Sequence, residues 1–351
     1  MIPRARVATT GVLLCLLCVL TGCTKLAYIR QASAGQNDLV VRARSIDMLV
    51  SEERVDGKTR RWLSHVAPIK KFGERYGLAA TDNYRKYVRL DRPYVVWVTS
   101  ASDPLHFKSR SWSFPFVGSF TYLGWFDRND ANAFANDIRA EGLDVDVRGS
   151  GAYSTAGFFE DAVLSTMMRN GKAGFGEMTN TILHESAHAT FFVRNQSTLN
   201  ESVANFLGDR LAEMYLREKL GPENEETVAY LASERLQESR GRALRAAYRT
   251  LEALYASSKP DAVKLAEKNA LLLQLRKDTT FKRPINNATL IQYNTYNSGQ
   301  DELALLLTAC GGSFPRLIAN LKTLESKKLP KAQEKEIGTI ILPLVASKCV
   351  L

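Results

Sequence analysis

His184-Glu185-Ser186-Ala187-His188 is the stretch that decides how this 351-residue chain is interpreted, and Asn200-Glu201-Ser202-Val203-Ala204 follows it closely. On a helix, residues four apart project from one face, so the two imidazoles could bind one zinc ion. Glu185 stands beside the first histidine, where it could act as general base on a water at the metal. Glu201 would supply a third ligand. Three protein ligands leave one coordination position open, as a catalytic zinc site requires.

The residues around the first motif are apolar, which predicts a buried helix from about Met178 to Val193. Arg194-Asn195-Gln196-Ser197 is typical of a turn, and Thr198 or Asn200 could begin a second helix that runs to about Leu220. The alternative interpretation is a buried helix whose histidines only satisfy hydrogen bonds in the core.

The second helix carries further candidates. Glu201, Asn205 and Gly208 share one face at helical spacing, and Gly208 would let the two helices approach closely. Asp209 lies to the side of that face. It could accept a hydrogen bond from the second ring nitrogen of a ligating histidine, or replace Glu201 as the third ligand, or be a solvated helix residue.

The N-terminus resembles a bacterial lipoprotein signal peptide, which would occupy residues 1–22. Arg4 and Arg6 precede an apolar run, Val12 to Leu20, that is too short to span a bilayer. Leu20-Thr21-Gly22-Cys23 resembles a lipobox, so Cys23 would carry the lipid. Thr24 then favours the outer membrane, facing the periplasm. The alternative is an ordinary secretory signal peptide, and no other segment predicts a membrane span.

After such cleavage, Cys310 and Cys349 remain beside the lipidated cysteine. In an oxidising compartment they could form a disulfide or stay as two buried thiols. The net charge of +10 becomes about +8, with 45 basic against 37 acidic residues once Arg4 and Arg6 are gone. The basic residues form no cluster, so we expect no nucleic-acid partner. Attraction to an anionic membrane surface is the expected consequence of the charge.

The remaining pattern predicts an α+β fold that is predominantly helical, with a small sheet before the zinc helix and a helical C-terminal half. Helices and sheet are expected at about 23–175, the zinc helices at about 176–220 and further helices at about 221–351, in one metallopeptidase domain. The individual predictions are helices at 26–50, 59–76, 129–141, 224–277 (a hairpin broken at 257–260) and 301–325, and strands at 94–98, 112–116, 120–126 and 144–148, with 153–155 as an extension of the last.

The two motifs together resemble the gluzincin metallopeptidases, which include thermolysin and the zinc aminopeptidases. Nearly the whole mature chain is similar to a family of bacterial lipoproteins described as predicted aminopeptidases. Only twelve residues separate His188 from Glu201, fewer than in thermolysin-like enzymes, but a short turn would still return Glu201 to the metal. The residues that carry the similarity are Cys23, Tyr28, Gln31, Gly35, Gln36, Phe114 to Gly118, Tyr122 to Asp127, Ala152 to Phe159, Asn287-Ala288, Tyr293 and Tyr296.

The resemblance implies a Zn²⁺ cofactor, a peptide substrate and a membrane-anchored enzyme of the bacterial envelope. An aminopeptidase needs an oxyanion donor and an acidic group that holds the free amine. A strand upstream of the zinc helix should also pair with the substrate, and Gly151 to Phe159 occupies that place. An endopeptidase or envelope amidase could use the same site, and a non-catalytic scaffold is the remaining class. The candidate donors are Tyr153, Tyr293 and Tyr296, and the candidate acids are Glu160 and Asp161.

Overall fold

The computed structural model describes residues 25–114, 118–153, 160–297, 299–327, 329, 331, 333–347 and 349. Residues 25–42 form a first helix, α1. The later helices are α2 Ile46–Ser51, α3 Gly57–Ser64, α4 Val66–Arg75, α5 Arg128–Ala140, α6 Gly174–Thr190, α7 Ser197–Lys219, α8 Glu225–Ala256, α9 Asp261–Asp278, α10 Asn287–Asn297, α11 Gln300–Ala309, α12 Phe314–Lys322 and α13 Gly338–Ala346.

Within the described residues, the strands are short and all precede α6. They are β1 Arg44–Ser45, β2 Lys86–Val88, β3 Val96–Ser102, β4 Trp112–Phe114, β5 Gly118–Phe120, β6 Tyr122–Trp125, β7 Asp144–Ser150 and β8 Val163–Leu164. In the part of the chain that the structure describes, they form three sheets with strand orders β1-β2-β8, β6-β3-β7 and β4-β5. The second is antiparallel throughout. The predicted α+β class with predominant helix is therefore confirmed.

Helix α6 lies at the centre of the largest hydrophobic cluster. Phe175, Met178, Ile182 and Leu183 are each fully buried. Helix α7 packs along α6 over most of its length, with α4 and α8 as further neighbours. The apolar run around the first motif thus forms a core helix, as predicted, and any site on it rests on a rigid element.

Two predicted N-terminal helices are interrupted. Residues 26–50 do not form one helix, because Arg44 and Ser45 pair with β2 before α2 begins. Residues 59–76 form two helices that break at His65, whose Nδ1 lies 2.8 Å from the Tyr215 hydroxyl. Pro68 consequently sits in the first turn of α4, where no intrahelical N–H bond is required. Both breaks depend on partners distant in sequence.

The antiparallel sheet β6-β3-β7 is held between α5 and α10. Helix α5 covers one face through a separate cluster that includes Trp125 and Phe134. Helix α10 was not predicted. It packs on β3 and β7 on one side and on α7 and α8 on the other. The Asn287 main-chain N–H begins this helix by donating to Asp144 at 2.9 Å, so α10 joins the sheet to the motif helix α7.

Helix α1 contacts the outer edge of β6 through Gln31, and the ring of Tyr28 also packs 5.3 Å from that of Trp125. The Gln31 amide donates to the Gly124 carbonyl at 3.1 Å, and its oxygen accepts from the Phe126 N–H at 3.0 Å. Those are the contacts that a neighbouring strand would make at this position. Gln31 therefore occupies the edge of β6 from Gly124 onward.

At the other end of the chain, a disulfide joins Cys310, after α11, to Cys349 in the C-terminal tail.

Within the described residues, no single helix meets the length and hydropathy expected of a membrane span. One pair bent by 113°, Asn287–Ala309 with Phe314–Lys322, meets them jointly. Cys23 and the signal-peptide region lie outside the described residues.

Candidate metal centre

The site is built on the end of α6 and the start of α7. Asn195, in the turn between them, has a φ of +60°. Asn200 closes the turn, because its side-chain amide donates to the Val193 carbonyl and accepts from the Val193 N–H, both at 2.9 Å. This pairing explains how a connection of a few residues brings Glu201 back against His184 and His188.

The three predicted ligands converge. His184 Nε2 lies 3.1 Å from His188 Nε2, and Glu201 Oε2 lies 3.6 Å and 3.5 Å from these two nitrogens. All three ligand atoms fall within 4.8 Å of one another. In a tetrahedral zinc site with ligands at about 2.0–2.1 Å, ligand atoms stand about 3.3–3.4 Å apart. The spacing and the His₂Glu donor set therefore fit a zinc ion with an open position.

Burial and neighbouring charges change the pKa values of the two carboxylates at this centre, Glu201 and Glu185. Burial would raise the pKa of Glu201, but its interactions with His184 and His188 prevail and lower the pKa to about 2. Burial raises the pKa of Glu185 above its usual value, although both histidines oppose the shift. Glu201 is thus held ionised, as a ligand must be. Glu185 is the more basic carboxylate, as a proton acceptor should be.

Burial and the neighbouring carboxylates act in opposite directions on the pKa of His184. Burial acts to lower its pKa, but contact with Glu201 and the charge of Glu185 outweigh burial, so the pKa is raised. The acidic surroundings therefore favour a cation at this position, whether a proton or a metal ion.

Gly208 permits the close packing of the two helices, as predicted. A Cβ at this position would lie 2.9 Å from Asn180 Oδ1 and 3.1 Å from the Cβ of His184. Both distances are shorter than ordinary van der Waals contact, so a larger residue would displace the first ligand from α7.

Asp209 belongs to a network behind the ligands. Its Oδ1 accepts a hydrogen bond at 2.6 Å from the Asn180 amide, which also donates to the Tyr230 hydroxyl at 2.8 Å. Burial raises the pKa of Asp209, and burial followed by the charge of Asp209 raises the pKa of Glu234 to about 8. Among the described residues, no hydrogen bond joins Asp209 to His184. Asp209 therefore ties α6, α7 and α8 together in this structure.

The tyrosine candidates lie in different places. Tyr153 packs its ring 5.3 Å from Phe126, and burial raises its pKa to about 12. Tyr293 packs 5.7 Å from Phe281 in a cluster of its own. The side chain of Tyr296 lies outside the described residues. Neither described tyrosine is placed against the histidines by these contacts.

The two acidic candidates, Glu160 and Asp161, differ in their exposure to solvent. Glu160 is exposed, with its carboxylate 3.6 Å from Lys86 Nζ. Asp161 is only 7% exposed, and its charge raises the pKa of Glu185. Both line a small cavity with Gln36 and Tyr153. Gly151 to Tyr153 follow β7 without forming a strand, so the predicted extension is absent at Tyr153, and its other two residues belong to the range 154–159 outside the described part.

Tyr122 was not among the predicted site residues. Burial raises its pKa, the carboxylates of Glu201 and Glu185 raise it further, and Arg148 lowers it. Its hydroxyl therefore lies within electrostatic reach of the metal centre, although 47% of the residue is exposed. The only sequence signal was its place in the run Tyr122 to Asp127, which the family resemblance includes.

The main-chain N–H and carbonyl of Tyr122 point to the edge of β6 that lies away from β3. Gly124 presents its carbonyl to Gln31 on the edge of β6 away from β3. Residues two apart in a strand direct their main-chain groups to the same edge, so the N–H and carbonyl of Tyr122 point the same way. This edge could also pair with an extended peptide, and the predicted segment Gly151 to Phe159 is described only as far as Tyr153.

Comparison with known families gives one match. A family model described as "Putative aminopeptidase" matches residues 27–337, which is most of the chain. Comparison with curated proteins and with solved structures found no match. The matched region contains both motifs, the sheet β6-β3-β7 and helix α10. The chain therefore belongs to this aminopeptidase family.

Proposed function

We propose that this protein is a zinc-dependent aminopeptidase of the bacterial cell envelope. The observation that carries the proposal is the convergence of His184, His188 and Glu201 within 4.8 Å, with Glu185 beside them and a family match along most of the chain. Bound zinc would polarise the scissile carbonyl and lower the pKa of the attacking water.

The chain's own residues supply the remaining chemistry. Glu185, made more basic by burial, would take the proton of the attacking water and pass it to the leaving amine. Tyr122 is preferred to Tyr153 and Tyr293 as the donor of a hydrogen bond to the developing oxyanion, because the charges of Glu201 and Glu185 act on its pKa. The outer edge of β6 would align the substrate main chain. Gln31 limits that pairing at Gly124.

An aminopeptidase must also hold a free amine. Asp161 is the stronger of the two candidates, because it is buried and electrostatically coupled to Glu185, whereas Glu160 is exposed beside Lys86. A digest of a peptide library with and without chelator tests the reaction class. Removal of single N-terminal residues supports an aminopeptidase, and internal cleavage would assign an endopeptidase instead.

The third ligand can be tested directly. Replacing Glu201 by alanine is expected to weaken zinc binding strongly, since it removes a carboxylate 3.5–3.6 Å from both histidines. Replacing Asp209 by asparagine should retain zinc, because Asp209 bonds to Asn180. Zinc affinities measured by competition with a chromophoric chelator compare the two variants. Normal binding by Glu201→Ala together with loss in Asp209→Asn would reassign the ligand.

The envelope location depends on Cys23. We expect wild-type protein to stay in the membrane pellet through a high-salt wash, because acyl chains contribute about 0.8 kcal/mol per buried CH₂ and are insensitive to salt. Attraction from the net positive charge alone would be screened. Cys23→Ser should release the protein or stall its processing, as judged by fractionation and fatty-acid labelling. Unlabelled wild type in the salt wash would contradict the lipid anchor.

A further inference from the structure

Helix α1 packs on the rest of the fold through one stripe of side chains. Tyr28 and Gln31 contact β6, and Leu39 is buried in the largest hydrophobic cluster. Gly35 shows how closely this stripe is packed, because a Cβ at that position would collide with the ring of Phe126. The four positions recur three to four residues apart, so they lie along one side of the helix. The opposite side of α1 is therefore directed away from the protein.

That outward side carries exposed aliphatic residues at both ends of the helix. Leu26 is 69% and Ile29 is 45% exposed near its start, and Val40 is 56% and Val41 is 75% exposed near its end. At about 100° per residue, all four point within about 60° of the direction opposite to the packed stripe. Leu26 and Val41 are about 22 Å apart along the axis, at about 1.5 Å per residue. The outward face of α1, defined by these four residues, is thus long enough to contact an extended surface.

The charge of this region has predominantly one sign. Lys25 and Arg30 are exposed, and neither forms an ion pair with another described residue. Asp38 is the one acidic residue in the range 25–42, and its carboxylate is paired with Arg42 at 2.7 Å. Apart from Arg30, the outward residues between the two aliphatic pairs, such as Ser33, are small or uncharged. Aliphatic residues beside unpaired cations are typical of a helix that lies on an anionic membrane.

The proposed lipid anchor would bring this helix to a membrane. Cys23 precedes Lys25 by two positions, so its Cα lies within about 7 Å of the Cα at the start of α1. The helix could then stand upright, which would leave Val40 about 22 Å from the membrane surface, or lie flat against it. The flat orientation removes both pairs of exposed aliphatic side chains from water, and the upright one leaves the second pair exposed.

We propose that the outward face of α1 lies flat on an anionic membrane surface, with its four aliphatic side chains among the lipids and its two unpaired cations at anionic headgroups. This inference rests on the proposed lipid anchor at Cys23 and goes beyond it, because an anchor holds the chain at a membrane without orienting it. The outer edge of β6, which the packed stripe of α1 contacts, would then lie about one helix diameter, about 10–12 Å, from the lipid surface.

A fluorophore at the far end of α1 tests the orientation. In the lipidated mature protein Cys23 is acylated and Cys310 is bonded to Cys349, so Val40→Cys supplies a single free thiol for a bimane label. Vesicles of phosphatidylcholine and phosphatidylglycerol in equal parts carry nitroxide lipids, which quench a fluorophore only at short range. The label at position 40 should be quenched several-fold more strongly than one at Leu273→Cys, the matched control on α9 that is likewise 56% exposed. Quenching at position 40 as weak as at position 273 would overturn the proposal.

Two further measurements identify what the face contacts. Replacing Lys25 and Arg30 together by glutamine should reduce quenching at position 40 to the level found in vesicles of phosphatidylcholine alone, because the attraction requires anionic lipid. Lys277→Gln combined with Arg235→Gln removes the same two charges from exposed positions on α9 and α8, and should have no effect. Unchanged quenching in the first double variant would overturn the assignment to anionic headgroups. Protection of position 40 from soluble iodide without quenching by lipid would assign the face to a second copy of this chain instead.

Failure of the lipid anchor can be distinguished from failure of this proposal. It would appear in mass spectrometry as mature protein without fatty acid. The same labels are then measured with that protein in excess anionic vesicles, where position 40 should still be quenched more strongly than position 273, and equal quenching would again overturn the proposal. Hydrolysis enters none of these measurements, so loss of the proposed peptidase activity would leave them unchanged.

Discussion

Replacing Glu185 by glutamine is expected to lower peptide hydrolysis by about 10²- to 10⁴-fold, the usual contribution of a general base. Zinc content should stay at about one ion per chain, because His184, His188 and Glu201 are unchanged. The amide keeps the size of the side chain but has no carboxylate to accept a proton. Parallel metal analysis and steady-state kinetics on the wild type and the variant check both parts.

Glu177 offers the matched control on the same helix. It lies nearer the start of α6, with its carboxylate 3.6 Å from Arg169, and Glu177→Gln makes the same chemical change away from the ligands. We expect this variant to retain activity. Hydrolysis by Glu185→Gln at the wild-type rate, with zinc bound, would remove Glu185 from the mechanism.

Replacing His188 by alanine should reduce zinc from about one ion per chain to nearly none, with complete loss of hydrolysis. Only three protein ligands converge among the described residues, so the loss of one imidazole leaves two, His184 and Glu201. Because α6 is a core helix, circular dichroism and thermal unfolding should accompany the metal analysis to show that the variant is folded.

His106→Ala is the matched control, because it removes a histidine that is not one of the proposed ligands. His106 is exposed beside Asp103, with 3.0 Å between ring nitrogen and carboxylate oxygen, and His106→Ala should keep full zinc. Full zinc occupancy in His188→Ala would contradict the ligand assignment, even if activity were lost.

The ligand cluster could be predicted from sequence because its geometry is local. His184 and His188 share a helix face through the helical repeat alone, and Glu201 needs only one short turn to reach them. That turn depends on Asn200, whose amide closes it on Val193. The number and spacing of the apolar residues in α6 likewise predict that this helix is buried.

Tyr122 and Arg148 could not be predicted in the same way. Their common face depends on the register of three strands, in which β3 lies between β6 and β7. A shift of one residue in either pairing would turn one of them to the α5 side. The sequence predicted strands in both places without specifying which strands pair or in which register.

The partners of two other candidates could not be predicted for a similar reason. Asp209 occupies a position on α7 from which it could contact a histidine. In the structure its carboxylate accepts a hydrogen bond from Asn180 of the neighbouring helix α6. Tyr293 is found with Phe281 because α10 packs between the sheet and α8, a position that sequence periodicity does not specify. Helical spacing determines the face of a residue, whereas its partner depends on tertiary packing.

The contact of Gln31 with β6 has a consequence for solubility. An exposed strand edge is a template on which a second chain can add its own strand, and proteins block such edges to avoid aggregation. Here one amide side chain satisfies the Gly124 carbonyl and the Phe126 N–H, so the blocking element is α1 and not another strand. Protein truncated within residues 25–42 would present this edge uncovered and should self-associate, even though every residue of the metal centre would still be present.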